Sequence, residues 1–324
     1  MTKIGKRIVL VMIGLVVLSA SVGVATYIYL TSDLELPSGH AEATPRYSYS
    51  ITGTGKTMLK EPLSAAVVGG RVFVADGATG KVVIFLLNGT PLRSFKPLPE
   101  VESAKPLMVA GDSEGRAYVT VTVGSVNKIM VYDEDGGFLY AFPDGVAKGF
   151  GAPIALVKPM GLFVTDDRLY VTDIGDHTVK IFSSNGQFLR KFGGWGHAHG
   201  QFAYPNGVAV DESGWIYVTD SNNARVEVYD QEGRYRSSLT PAGNALFSLP
   251  RGIAVDRMGR IHVVDSFGHK VFVFDKHGFP LFSYGDQGNA VNDFYYPNGI
   301  TIDSHERAFI ADRQNGRIAV WQIN

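Results

Sequence analysis

From residue 45 onward, apolar and polar residues alternate in short runs, the period of half-buried strands rather than helices. R-V-F-V-A-D at 71–76, R-V-E-V-Y-D at 225–230 and K-V-F-V-F-D at 270–275 are examples. Turn signals separate the runs. Asn-Gly at 88–89 and 185–186, and Asp-Gly at 135–136, supply the positive φ that tight hairpins need. The runs also repeat on a larger scale. K-P-M-G-L-F-V-T-D-D-R-L-Y-V-T-D from Lys158 aligns with Y-P-N-G-V-A-V-D-E-S-G-W-I-Y-V-T-D from Tyr204. L-P-R-G-I-A-V-D-R-M-G-R-I-H-V-V-D from Leu249 and Y-P-N-G-I-T-I-D-S-H-E-R-A-F-I-A-D from Tyr296 align with both. Each copy continues into a third alternation and, after a Gly-containing turn, a fourth such as F-L-R-K-F at 188–192. Weaker copies run from Pro62 and Pro106, so the marker prolines are 62, 106, 159, 205, 250 and 297, with a period in the middle forties.

Four short antiparallel strands per copy, repeated radially, predict an all-β, six-bladed β-propeller over 45–324. The sixth copy reaches A-V-W-Q-I-N without a fourth strand, whereas R-Y-S-Y-S-I-T-G at 46–53 has strand pattern and belongs to no copy. The N-terminal strand is therefore expected to complete the sixth blade, closing the ring and removing its free edges.

The copies resemble NHL repeats, whose pattern runs P-x-G-[IV]-x-V-D, G-x-[IV]-Y-V-x-D, N-x-R-[VI]-x-V-[FY], then G-x-[FY]. Pro205, Gly207, Asp211, Tyr217, Asp220, Asn223, Arg225, Val226 and Tyr229 follow it nearly completely, and Pro297, Gly299, Asp303, Asp312, Asn315 and Arg317 follow it in blade six. Blade five departs at Gly268 and Lys270, blade three at Asp176 and Thr178, and blade two at Val121. The resemblance covers 46–324 and implies the fold strongly. For function it implies only a range, because such propellers serve as scaffolds, sensors, binders and occasional enzymes.

The N-terminus follows another pattern. Lys3, Lys6 and Arg7 precede an uncharged run from Ile8 to Leu30, which as a helix spans roughly 34 Å, enough for a hydrocarbon core of about 30 Å. Residues 1–7 read as a cytoplasmic N-terminus, 8–30 as one transmembrane signal anchor, 31–44 as a polar linker and 45–324 as the propeller. Cations before the run, with Asp33 and Glu35 after it, point to an N-in, single-pass protein of the cell membrane with an extracytoplasmic propeller. Cleavage at Ser19-Ala20-Ser21 is the alternative and predicts a secreted protein.

Composition then excludes some chemistry. There is no cysteine, which removes disulfides, thiolate metal sites, covalent haem and a thiol nucleophile. Net charge is -1, so no basic field invites nucleic acid. No nucleophile-elbow motif occurs, nor a Gly-rich loop leading into a helix.

The repeated acids Asp76, Asp173, Asp220, Asp265 and Asp312 end second strands before turns, where a short carboxylate typically bonds the backbone. Arg225 and Arg317 recur too and are expected to tie neighbouring loops. The residue after the marker proline varies instead: Met160, Asn206, Arg251 and Asn298, with Leu63 and Leu107 at looser positions. These start the innermost strands and should ring one mouth of the channel, where an arginine beside two amides could orient an anionic or carbonyl-bearing group. Trp195 adds aromatic area on that face. His177, His197 and His199 form the candidate metal cluster, for zinc or calcium, although His-x-His in a Gly-rich loop reads more readily as loop decoration. His262 stands where other copies have a strand tyrosine and reads as core. The sum points to a non-catalytic platform, without a required cofactor, for another envelope or extracellular protein or peptide. The alternative is a metal-dependent propeller enzyme, peptide-amidating-lyase-like or lactone-hydrolase-like.

Overall fold

The computed structural model describes residues 44–123, 126–142, 156–184, 186–242 and 245–323. The proposed anchor at 8–30 lies outside the described residues, as does its linker up to residue 43. Among the described residues, no helix is long and apolar enough to cross a membrane.

Alternating sequence becomes six four-stranded antiparallel sheets. Blade one runs from Pro62 to Phe95, blade two from Lys105 to Phe142 and blade three from Pro159 to Gly193. Blade four runs from Pro205 to Leu239 and blade five from Pro250 to Tyr284. Blade six takes three strands from Pro297–Gln322, and its outermost strand is Arg46–Ile51, paired with Arg317–Gln322 in the register Tyr49↔Val320 and Ile51↔Ile318. The orphan N-terminal strand thus closes the ring, as its pattern predicts.

Both faces of each inner sheet are buried, because each blade packs against two neighbours. The apolar core accordingly divides into six clusters among the described residues, one per blade junction. Phe73 and Ile84 meet Val119 and Met130 between blades one and two. Phe309 and Val320 meet Val74 and Phe85 between blades six and one. Phe73, Phe85 and Phe309 are wholly buried, each contributing about 2–3 kcal/mol by leaving water.

The first strand of every blade lines the axis, and each carries the same irregularity. Pro205 pairs with Asp220 and Val208 with Val218, so one extra residue bulges from the strand between them. The same slip follows every marker proline. A bulge re-aims the side chain it contains, and here it turns the residue after proline toward the axis. The glycine that follows is required by crowding. A Cβ on Gly161, Gly207 or Gly252 would stand 2.1, 2.3 or 2.5 Å from the carbonyl oxygen of Asn206, Arg251 or Asn298 in the next blade. Threonines before the repeated acid bridge the same gap. Thr172 Oγ1 accepts from Gly161 N and donates to Asn206 O, while Thr219 Oγ1 accepts from Gly207 N and donates to Arg251 O.

Candidate functional site

The repeated acids are framework. Asp76, Asp173, Asp220, Asp265 and Asp312 have no solvent exposure. Asp265 accepts from Ser248 N, Leu249 N and Gly268 N, joining the strand entering the blade to the acid's own turn. Asp173 does the same with Val157 N, Lys158 N and Gly175 N. Arg225 and Arg317 act as expected. Arg225 Nε donates to Asp220, and its other nitrogens donate to His197 O, Ala198 O and Gln201 O. Arg317 donates to Asp312, Ala290 O and Asp293 O. Burial nevertheless holds the Asp220 and Asp312 carboxyls above the ordinary range, against the pull of these donors. Blade three lacks the arginine. Lys180, two residues past Thr178 and wholly buried, supplies the cation, with Nζ 2.6 Å from Asp173 and 2.9 Å from Asp176.

The three candidate metal ligands do not converge. His177 Nδ1 accepts from Tyr204 N at 3.2 Å, His197 Nδ1 meets Asn223 Oδ1 at 2.6 Å, and His199 stacks on Tyr235 at 4.9 Å. Among the described residues, no group of three His, Asp or Glu side chains is placed to hold a metal ion. The first contact is itself a repeat. His269 Nδ1 accepts from Tyr296 N at 3.1 Å, so His177 and His269 staple blades three to four and five to six. Both histidines and both tyrosines have φ between 53° and 61°, a left-handed conformation that is strained for side chains of this size. Each histidine fills a slot that glycine holds in blades one and six, at Gly80 and Gly316. Burial lowers the His269 pKa, which favours the neutral ring that accepts this bond. His262 is wholly buried against Asp256 at 3.2 Å, as Tyr118 and Tyr217 lie against Asp112 and Asp211.

At the axis, Met160, Asn206, Arg251 and Asn298 do come together, with Gly252 and Met108, around a recess of about 10 Å³. Leu63 and Leu107 do not line it. Met108 enters because it occupies, in blade two, the position that glycine holds in blades three to six. It also lines the channel beyond, about 420 Å³ walled by Val67, Leu162, Val208, Ile253 and Ile300. That channel reaches Asp112 and Asp303, which are already paired with Arg116 and Arg307. Arg251 has no carboxylate partner among the described residues. Its one hydrogen bond there is Nη1 to Asn298 Oδ1 at 3.4 Å. Burial, then the neighbouring Arg313, lowers its pKa. Trp195 is 58% exposed and packs on His177 and Tyr204, with ring centroids 4.8 and 6.3 Å away.

Several of these residues escape sequence reasoning. Thr172 and Thr219 had a visible signal, the repeated V-T-D. Lys180 and Glu227 interrupt third strands that otherwise read as apolar. Glu227 is wholly buried beneath the 194–204 loop, accepting from Gly200 N and the Tyr229 hydroxyl and paired with Arg225, and burial raises its pKa. Met108 showed only as a departure from the P-x-G pattern and Arg313 carried no signal, because their importance lies in what the neighbouring blades bring to them.

A family model described as a 6-bladed beta-propeller matches residues 155–242. NHL repeat-containing protein 3 of Homo sapiens is 28% identical over 258 residues, 77% of this chain and 59% of that protein. The chain is a six-bladed propeller similar to NHL repeat-containing proteins. This propeller chain spans only about half to three-fifths of such relatives, 59% of the human protein and 50% of the Mus musculus protein of the same name. Among solved structures, a streptogramin B lyase superposes with a TM-score of 0.60 at 15% identity, covering 86% of this chain and 98% of that one. A gluconolactonase from Xanthomonas campestris superposes with a TM-score of 0.61 at 19% identity, covering 89% and 98%. These likenesses concern the fold.

Proposed function

We propose that this NHL-type propeller is a membrane-anchored, extracytoplasmic platform that binds another envelope or extracellular protein or peptide without chemical turnover. The observation that carries the reading is the pairing, on one face, of exposed aromatic rings with an arginine that has no carboxylate partner among the described residues. Arg251 lies at the axis, while Trp195, Tyr204 and Phe267 stand 58%, 43% and 58% exposed on the loops around it. Partly desolvated arginine and aromatic residues are the side chains that dominate recognition surfaces. The apolar run at 8–30 and its flanking charges support the anchor and the orientation.

The test is face-selective crosslinking in intact membranes. A photoreactive residue at position 195 is expected to capture a discrete partner, whereas one at Trp215, in the turn side of blade four, captures none. Capture from 215 alone would overturn the reading. The enzyme alternative draws support from the fold shared with a lyase and a lactonase. Metal analysis of the detergent-purified chain and its His197→Ala/His199→Ala variant separates the two, since stoichiometric zinc or calcium lost in the variant favours the enzyme.

A further inference from the structure

The recess at the axis has a donor and acceptor pattern that specifies more than an anion. Arg251 carries five N–H donors, of which the described residues engage one, at the long distance of 3.4 Å. The next cation is Arg313, in the turn of blade six, whose partner Glu61 lies at 3.1 Å. Arg313 Nε is buried with no hydrogen-bond partner among the described residues. Arg313 thus has a carboxylate in Glu61, whereas Arg251 has none among the described residues, which leaves its charge unpaired beside the recess.

Asn206, in the adjoining blade, supplies the opposite polarity. Its Nδ2 donates to Tyr204 O at 3.0 Å and to Ser221 Oγ at 2.7 Å. Ser221 Oγ spends its own hydrogen on Pro250 O at 2.5 Å, so toward Asn206 it can only accept. This fixes the amide orientation, places both amide hydrogens within the fold and leaves Oδ1 without a donor among the described residues. Asn298 is spent differently, with Nδ2 on Leu63 O at 2.7 Å and Oδ1 facing Arg251. The recess therefore presents a cationic fork next to one amide acceptor. Its enclosed part, about 10 Å³, takes on the order of one water-sized group such as a single carboxylate oxygen, so a ligand enters by its end and the rest stays at the mouth.

A carboxylate with an N–H on the adjacent carbon is the end of a peptide chain. We propose that the axial recess binds the free C terminus of a peptide, with Arg251, backed by Arg313, taking the carboxylate and Asn206 Oδ1 taking the last amide N–H. The preceding residues lie outward across Tyr204, two positions from Asn206, and across Trp195. This rests on the reading of the face as a binding surface and specifies what it recognises. Fork-to-carboxylate pairing gives direction as well as affinity, so the site reads a chain end rather than a charge.

The probe is an equimolar pool of N-acetyl-Gly-X dipeptides, X being each of the twenty residues, prepared once as free acids and once as C-terminal amides. Retention by the detergent-purified full chain is read by mass spectrometry. The free acids are expected to be retained at least tenfold over their amides. Arg251→Gln abolishes that difference, and Arg251→Lys, which keeps the charge but not the fork, retains part of it. A melting curve for each variant verifies folding. Equal retention of acids and amides overturns the proposal, as does an unchanged preference in folded Arg251→Gln. Retention of the amidated Asp and Glu members at the level of the acids overturns it too, because a side-chain carboxylate would then suffice. Displacement by inorganic phosphate as effective as by the acids identifies a simple anion hole and also overturns it. The platform reading fails separately, through loss of crosslinking at position 195.

Discussion

Arg317 and Arg251 are both withdrawn from bulk water, yet they occupy opposite situations. Arg317 sits at a repeat position of the blade junction, where a wholly buried Asp312 and the carbonyls of Ala290 and Asp293 take its donors at 2.7–2.8 Å. Arg251 sits at a variable position of the axis, where one amide oxygen at 3.4 Å is its described partner. The guanidinium is the same, and the neighbours decide what it does. Where the repeat imposes a residue, the next loop has partners waiting and the charge is absorbed into the fold. Where the repeat leaves the residue open, the charge stays available to a ligand.

The sharpest way to break this contrast is to remove the junction arginine. Arg317→Leu leaves Asp312 as a buried charge without its cation, along with two orphaned carbonyls. A loss of about 3–5 kcal/mol in chemical denaturation is expected. A loss under 1 kcal/mol would mean that the junction arginines are as dispensable as the axial one. Gly207→Ala tests the crowding that separates axis from junction. Its Cβ would stand 2.3 Å from Arg251 O, and a destabilisation of about 1–3 kcal/mol is expected. Because the strain falls on the backbone of Arg251, the peptide-acid preference should weaken in the same variant.

A third experiment uses pH to ask whether a buried histidine belongs to the absorbed class. Burial lowers the His262 pKa below its ordinary value near 6.5, despite the Asp256 carboxylate. The unfolded chain therefore takes up the proton first. Stability falls as pH drops from the unfolded value toward the folded one. His262→Tyr, which installs the residue found at Tyr118 and Tyr217, should lose less stability between pH 7.5 and 5.5 than the parent when urea midpoints are compared. Buried carboxyls with raised pKa values act in the opposite direction, but equally in both proteins. The smallest effect is expected for Arg251→Gln, a change within about 1 kcal/mol and toward greater stability, since it removes a partly desolvated cation facing Arg313. A large loss would move Arg251 into the framework.

Much of the fold was legible because propeller blades are local. Alternation, turn glycines and the marker prolines are contacts within about forty residues, and the missing fourth strand of blade six announced the role of residues 46–51. The framework roles of the acids and of Arg225 and Arg317 were legible for the same reason, as repetition implies a common partner. The site was legible only in outline. Met160, Asn206, Arg251 and Asn298 were placed on one rim by their shared offset from proline. Met108 was not, because its entry depends on a bulge and on glycine crowding in other blades. His177, His197 and His199 were the candidate zinc or calcium cluster, with the His-x-His pair read more readily as loop decoration; the backbone places His177 in a left-handed turn, accepting from the next blade.

The sequence by itself determined a ring of six blades, its closure by the first strand, and which positions are repeated and hence structural. Only the tertiary structure decided which polar groups remain unspent. Hydrogen-bond satisfaction is a sum over neighbours from separate blades: Ser221 gives its hydrogen to Pro250, Asn206 gives both of its own to Tyr204 and Ser221, and Glu61 pairs with Arg313 across the closing junction. No single repeat contains that sum, so what Arg251 is left free to do becomes visible when the ring is closed.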